Sequence, residues 1–143
     1  MMYSFSAFLR SGLVAAVVLL GLAAHTAPVE AQSKNLTVVE LYTSQGCSSC
    51  PPADALLEEI SQRADVLALS FHVDYWDYFG WKDSYAMVSC TARQRGYARA
   101  FRKTFVSTPQ MVVDGMLETT CSDARLVSAG IKKAAMAPHA DIQ

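Results

Sequence analysis

The chain has 143 residues, with 12 Lys or Arg against 13 Asp or Glu and a net charge of −1. That length allows one domain with a substantial core and not two, and the near-even balance argues against nucleic acid as a partner. Its four cysteines, 47, 50, 90 and 121, are an even number, which lets every thiol be paired in an oxidising compartment.

The N-terminal residues stand apart. Arg10 is the only charge before Glu30, and the apolar run Leu13 to Ala24 is shorter than the roughly 20 residues a membrane span needs. A basic start, a short apolar core and small residues after it read as a secretory signal peptide. Cleavage after Val29-Glu30-Ala31 is favoured over cleavage after Ala27, where Pro28 would follow the cut. The plan is therefore a signal peptide over 1–31, one domain over 32–138 and a tail over 139–143. The alternative is an uncleaved N-terminal anchor. No later run is long enough to span a membrane, so the mature chain is expected to be periplasmic or secreted, with no membrane partner.

Gln32 to Asn35 is a polar lead. Leu36 to Tyr42, rich in β-branched and aromatic residues, reads as a strand that is apolar on both faces except at Glu40. After a loop, Thr43 to Gly46, comes Cys47-Ser48-Ser49-Cys50-Pro51-Pro52. Ala53, Leu56, Leu57 and Ile60 then recur at the spacing of one helical face, and prolines are tolerated in a first turn, so the helix starts near Pro51. Val66 to Val73 is a second buried strand, which completes a βαβ unit. Asp74 to Ser89 is irregular and aromatic-rich. Thr91 to Lys103 reads as a helix with Tyr97, Phe101 and Phe105 inward and Arg95, Arg99 and Arg102 on a solvated side. Ser107-Thr108-Pro109 breaks the chain. Met111 to Val113, Asp114-Gly115 and Met116 to Glu118 spell a hairpin with a two-residue turn. Ser122 is placed as the cap of a last helix, Asp123 to about Met136, with Leu126, Ile131 and Ala134 inward. Gly130 weakens it by about 1 kcal/mol relative to Ala, and Pro138 ends it. The sum is an α/β fold, a four-stranded mixed sheet with helices on both faces.

The chemistry centres on Cys47 and Cys50. Two intervening residues let the sulfurs close a small ring where the chain turns into a helix, and the positive helix end favours a thiolate, lowering its pKa from about 8.5. Cys47 is expected to be the exposed nucleophile and Cys50 the buried resolving thiol. An inert staple gains little from so short a loop. A structural zinc site wants four ligands, whereas Cu(I) needs fewer thiolates and keeps a copper-binding or metallochaperone role open. Pro109 precedes a strand that should lie beside this motif; on base rates alone its peptide bond is trans. His72 and Asp74, at the end of the second strand, read as a structural pair or a proton relay. The aromatic run Tyr75 to Tyr85 reads as core packing or the lining of a peptide groove.

VVELYTSQGCSSCPPADALL, LALSFHVDYWDYFGWKD, TARQRGYARAF and TPQMVVDG, which together cover most of residues 36 to 115, resemble the thioredoxin-like superfamily. They are more closely similar to a family of exported bacterial thioredoxin-like proteins of unassigned function. The resemblance implies that Cys47 and Cys50 form the redox motif and that Thr108-Pro109 is the cis-proline loop, with Thr108 facing bound peptide. It also gives Glu40 a role. Thioredoxin carries a buried carboxylate on the strand before its motif, which helps deprotonate the resolving thiol, and Glu40 sits one step further from the motif than that pattern. The alternative is a glutamate reaching water at a strand edge. Ser48-Ser49 departs from the pairs of well-known oxidoreductases, so redox poise does not transfer. Family members usually continue into a further strand-rich segment, so the resemblance implies a short or truncated member.

The expected function is thus an exported thiol–disulfide oxidoreductase that needs no cofactor. Its partners would be protein or small-molecule thiols and disulfides, with an unidentified redox-recycling partner. A non-catalytic thioredoxin-like binding domain is the bland alternative. Cys90 and Cys121 are expected to form a structural disulfide closing about 30 residues, an effect of roughly 3–4 kcal/mol in the chain-entropy picture. The alternatives are two free thiols or exchange with Cys47.

Overall fold

The computed structural model describes residues 36–119, 121 and 123–138. The signal peptide, the polar lead, the Ser122 cap and the 139–143 tail lie outside the described residues. The chain divides into two units, 1–33 and 34–143, and every described residue belongs to the second.

Strand β1 (Thr37–Thr43) leads through the cysteine motif into helix α1 (Pro51–Ser61) and back through β2 (Val66–His72), which pairs parallel to β1 with Thr37 opposite Val66 and Thr43 opposite His72. A loop containing a short 3₁₀ turn (Asp77–Phe79) leads to α2 (Val88–Ala100). The chain then returns as β3 (Gln110–Val113), antiparallel to β1, and β4 (Leu117–Thr119), and ends in α3 (Ala124–Ala135). The strand order is β2-β1-β3-β4. This is the expected four-stranded mixed sheet, in the α/β arrangement of a thioredoxin-like fold.

Strand alternation decides which helix covers which face, because successive side chains point to opposite sides. Val39 and Leu41 of β1 and Met111 and Val113 of β3 pack with Ala53, Leu57 and Ile60 of α1 and Val127, Ile131 and Ala134 of α3. The intervening Tyr42 and Val112 pack on the other face with Phe71, Tyr75, Trp76 and, from α2, Tyr97, with Phe101 just beyond its end. Burying a side chain such as Leu57 or Ile60 contributes about 1.5–3 kcal/mol.

Several boundaries move. Helix α2 begins at Val88 and is over by Ala100, so Phe105 lies beyond it and is exposed, not inward. In α3, Asp123 is the cap, its carboxylate accepting from the Arg125 and Leu126 N–H groups. Leu126 is half exposed and Val127 takes the inward place, one residue off the expected phase. Asp114 and Gly115 both have positive φ, 54° and 68°, as the Asp-Gly signal requires. The ladder, however, resumes with Val113 opposite Leu117, so the connection holds three residues. Among the described residues no helix is long and apolar enough to cross a membrane.

Candidate functional site

Strand β1 delivers the chain to a tight turn in which the Cys47 N–H donates to the Ser44 carbonyl at 3.0 Å. A disulfide joins Cys47 and Cys50, whose Cα atoms are 5.4 Å apart, and Cys50 is the N-cap of α1. Pro51 and Pro52 fill the first helical positions and carry no N–H, so the positive helix end acts on the sulfurs with fewer free donors than an ordinary first turn. Both cysteines are buried, Cys47 at 2% exposure and Cys50 at none, which corrects the expectation of an exposed Cys47.

The turn before Cys47 is tied to the aromatic loop. The two meet closely at Gly46, where a Cβ would stand 3.1 Å from Trp76 Cβ and push it back by a few tenths of an ångström. The Gln45 N–H donates to Asp83 Oδ2 at 2.8 Å, and Trp81 Nε1 donates to Gln45 Oε1 at 3.0 Å. Asp83 is buried and also accepts from the Tyr85 N–H and from His72 Nδ1, at 2.6 Å. A carboxylate only accepts, so Nδ1 carries the proton. Burial alone would raise the Asp83 carboxyl; the hydrogen bonds from Gln45, His72 and Tyr85 outweigh it and hold the group below the usual range. The partner of His72 is therefore Asp83 and not Asp74, which instead bonds Thr91. The aromatic run divides accordingly: Tyr75 and Trp76 are half-buried, while Tyr78, Phe79, Trp81 and Tyr85 are exposed.

The Thr108-Pro109 peptide bond is cis. Trp76 Nε1 donates to Thr108 Oγ1 at 2.7 Å, and Gln94 Nε2 donates to the Ser107 carbonyl at 2.8 Å, so the aromatic loop and α2 hold the segment before Pro109. Ser49 of the motif and Pro109 line one open cleft of about 500 Å³ together with Lys103, Gln110, Glu118, Thr119 and Cys121.

Glu40 does not belong to this site. It faces α2 and is buried, accepting from Tyr42 Oη, Tyr97 Oη and, in a two-pronged pair at 2.8 and 2.6 Å, Arg93. Burial alone would raise its carboxyl, but the hydrogen bonds from Arg93, Tyr42 and Tyr97 and the Arg93 charge hold it low. The one-step offset is the physical reason. In a strand it turns the side chain to the opposite face, and Leu41 takes the place facing α1. Glu40 is neither a base beneath Cys50 nor a glutamate reaching water.

Cys90 and Cys121 are free, buried thiols, not a disulfide. Cys121 belongs to the core under α1 and α3, whereas Cys90 is in the first turn of α2, on the other side of the sheet. Burial raises both thiols, Cys121 to about 11. Ellman's reagent is expected to find no fast-reacting thiol in the native oxidised protein and two per chain in denaturant without reductant. A denatured count of zero would restore the pairing. Among the described residues no group of three or more His, Cys, Asp or Glu is placed to hold a metal ion.

Asp83, Arg93 and Gln110 are the residues that sequence reasoning missed, and Trp76 was read only as part of the aromatic run. Asp83 offered one signal, as one of two carboxylates, with Asp77, inside the dense aromatic run Tyr75 to Tyr85.

Residues 38–143 match a family model described as a protein of unknown function (DUF1223). Among solved structures, the chain is similar to the X-ray crystal structure of a protein from Agrobacterium tumefaciens, at 47% identity and a TM-score of 0.65 over 68% of this chain. The chain spans 44% of that protein's length. A comparison with curated proteins found no match.

Proposed function

This chain belongs to the DUF1223 family of proteins of unknown function, and from its own site we propose that it is a thiol–disulfide oxidoreductase of the thioredoxin-like superfamily, acting through Cys47 and Cys50. The observation that carries the reading is the Cys47–Cys50 disulfide at the start of α1, with Ser49 between the cysteines and cis-Pro109 lining one cleft.

The reaction balances without a cofactor. A substrate thiolate attacks Cys47 Sγ, the Cys47–Cys50 bond breaks, and Cys50 leaves as a thiolate that takes up a proton. A second substrate thiolate attacks the substrate sulfur of the mixed disulfide and releases Cys47. The substrate is oxidised to a disulfide and the protein is reduced by two electrons; the reverse sequence reduces a disulfide. Cys47 is the attacked sulfur because it retains some exposed surface and adjoins exposed Ser48 and Ser49, whereas Cys50 is sealed. The signal-peptide pattern of residues 1–31 supports an exported location, where such a pair would meet oxidised partners.

The test is insulin reduction by dithiothreitol in the presence of the protein. Turbidity is expected well ahead of the uncatalysed rate with the unaltered chain and at that rate with the Cys47→Ser, Cys50→Ser double variant. Equal rates for the two would remove the reading. The reduction potential then fixes direction: a value near about −270 mV marks a reductant and one near about −120 mV an oxidant.

A further inference from the structure

The wall of the cleft beside the motif holds a buried polar atom that the exchange reaction leaves unused. Gln110, the first residue of β3, is more than nine-tenths buried and lines the cleft. Its Nε2 donates to Glu118 Oε1 at 3.3 Å, and its Oε1 has no hydrogen-bond partner among the described residues. Rotating the amide by half a turn would set Oε1 against the Glu118 carboxylate, so the amide's orientation is fixed. A buried acceptor without a donor is unfavourable until something supplies one.

The neighbouring charges indicate what that donor belongs to. Lys103 Nζ lies 3.1 Å from Glu118 Oε2, and both side chains line the cleft with part of their surface open. An ammonium has three donors and a carboxylate about four acceptor positions, so each retains capacity after the pair is made. A cation and an anion side by side, next to an unpaired carbonyl oxygen, complement an amino-acid head group. A peptide backbone offers an N–H but no such pair of charges within the chain. The cleft, about 500 Å³, is of small-molecule size.

We propose that this cleft is a subsite for small zwitterionic disulfides of the cystine class, with the ligand's carboxylate on Lys103 and its ammonium on Glu118, the Gln110 side chain shifting to bring its buried Oε1 to one ammonium N–H. The inference names a substrate class for the exchange proposed above and rests on that reading. In the step it serves, the Cys47 thiolate of reduced protein attacks one cystine sulfur, the cystine S–S bond breaks, and one cysteine leaves and takes up a proton. The Cys50 thiolate then attacks Cys47 Sγ, the mixed disulfide breaks, the second cysteine leaves, and the Cys47–Cys50 bond forms again. Cystine gains the two electrons that the dithiol loses.

Two arms on the full chain separate binding from chemistry. S-methyl-L-cysteine, which has the head group but no exchangeable sulfur, is titrated while the amide signals of residues 110 and 118–119 are followed by NMR. Oxidation of the reduced protein is timed with L-cystine and with the uncharged 2-hydroxyethyl disulfide. Saturable shifts at those residues are expected, with a half-saturating concentration raised about tenfold by Gln110→Leu and by Lys103→Met. Both variants should slow oxidation by cystine about tenfold and oxidation by 2-hydroxyethyl disulfide far less. Lys103 is half exposed, so its variant keeps the test decisive if Gln110→Leu fails to fold. Absent shifts, or variants that slow both disulfides alike, would overturn the subsite. Shifts in a protein that neither disulfide oxidises would uphold the subsite and remove the redox reading.

Discussion

Arg93→Met is expected to lower the unfolding free energy by about 3 kcal/mol at pH 7. Glu40 is buried beneath α2, and Arg93 supplies two of its four hydrogen bonds and its countercharge. Removing one partner of a buried pair typically costs about 3–5 kcal/mol, and the half-exposed Arg93 side chain places this case at the lower end. The sign with pH follows from the carboxyl. Its folded value lies below the ordinary 4.5, so its contribution is present above about that pH and is lost as the pH falls through the folded value. In Arg93→Met, burial acts with less opposition, the folded carboxyl rises, and protonation relieves the defect. Urea unfolding of both proteins at pH 7 and pH 3.5 should therefore show a wide gap that narrows in acid. A gap under about 1 kcal/mol at pH 7, or one independent of pH, would mean that Arg93 acts only as an exposed side chain.

That network marks where sequence reading succeeds and where it stops. The strand residues Val38 to Tyr42 declare themselves through β-branched and aromatic composition and the face Ala53, Leu57, Ile60 through periodicity, both local properties. The Cys-x-x-Cys spacing and the Thr-Pro dipeptide are likewise local, and the fold brings Ser49 and Pro109 to one cleft. Glu40 was legible as an anomaly, a carboxylate in an apolar strand, but its partner is 53 residues away on a helix whose arginines all look solvated. Arg93 shares the i, i+4, i+8 face of Tyr97 and Phe101, which Arg95 and Arg99 do not, but only docking of α2 on the sheet shows that this face meets Glu40.

The Cys90–Cys121 expectation failed for the same reason. Two helix-start cysteines flanked by Ser and Thr look equivalent in sequence, yet α2 and α3 cover opposite faces of the sheet. The His72 assignment failed at the level of a loop. Asp74 is nearer in sequence, but Asp83 returns to the end of β2 because the intervening segment closes on itself, with the Asp83 N–H bonded to Asp77. Irregular backbone carries no period from which such a return can be read.

Asp83→Ala is expected to destabilise the protein by about 3 kcal/mol and, beyond that, to loosen the redox motif. The carboxylate accepts from three donors, the N–H groups of Gln45 and Tyr85 and His72 Nδ1, and it is almost wholly buried. Each buried donor left unsatisfied costs about 1–3 kcal/mol, reduced where water enters the space left behind. Of the three, Gln45 matters for chemistry because it lies two residues before Cys47, in the turn closed by the Cys47-to-Ser44 hydrogen bond. Releasing it unties the turn before Cys47 from the aromatic loop. The Gln45 and Cys47 amides should therefore exchange with deuterium faster than the change in global stability requires. Reduction of the Cys47–Cys50 disulfide by dithiothreitol should quicken under conditions where both proteins remain folded. The Asp83 carboxyl is held below its ordinary 3.8, so its contribution is present above that pH and is lost as the pH falls through the folded value. The difference between variant and unaltered protein should accordingly shrink as the pH falls below 3.8 and on through the folded value. Trp81→Ala serves as the comparison. Trp81 is exposed and bonds only the Gln45 side chain, so it should change stability by about 0.5 kcal/mol or less. If Asp83→Ala lowers stability while Gln45 exchange and the dithiothreitol rate follow the global change alone, Asp83 braces the loop without clasping the motif.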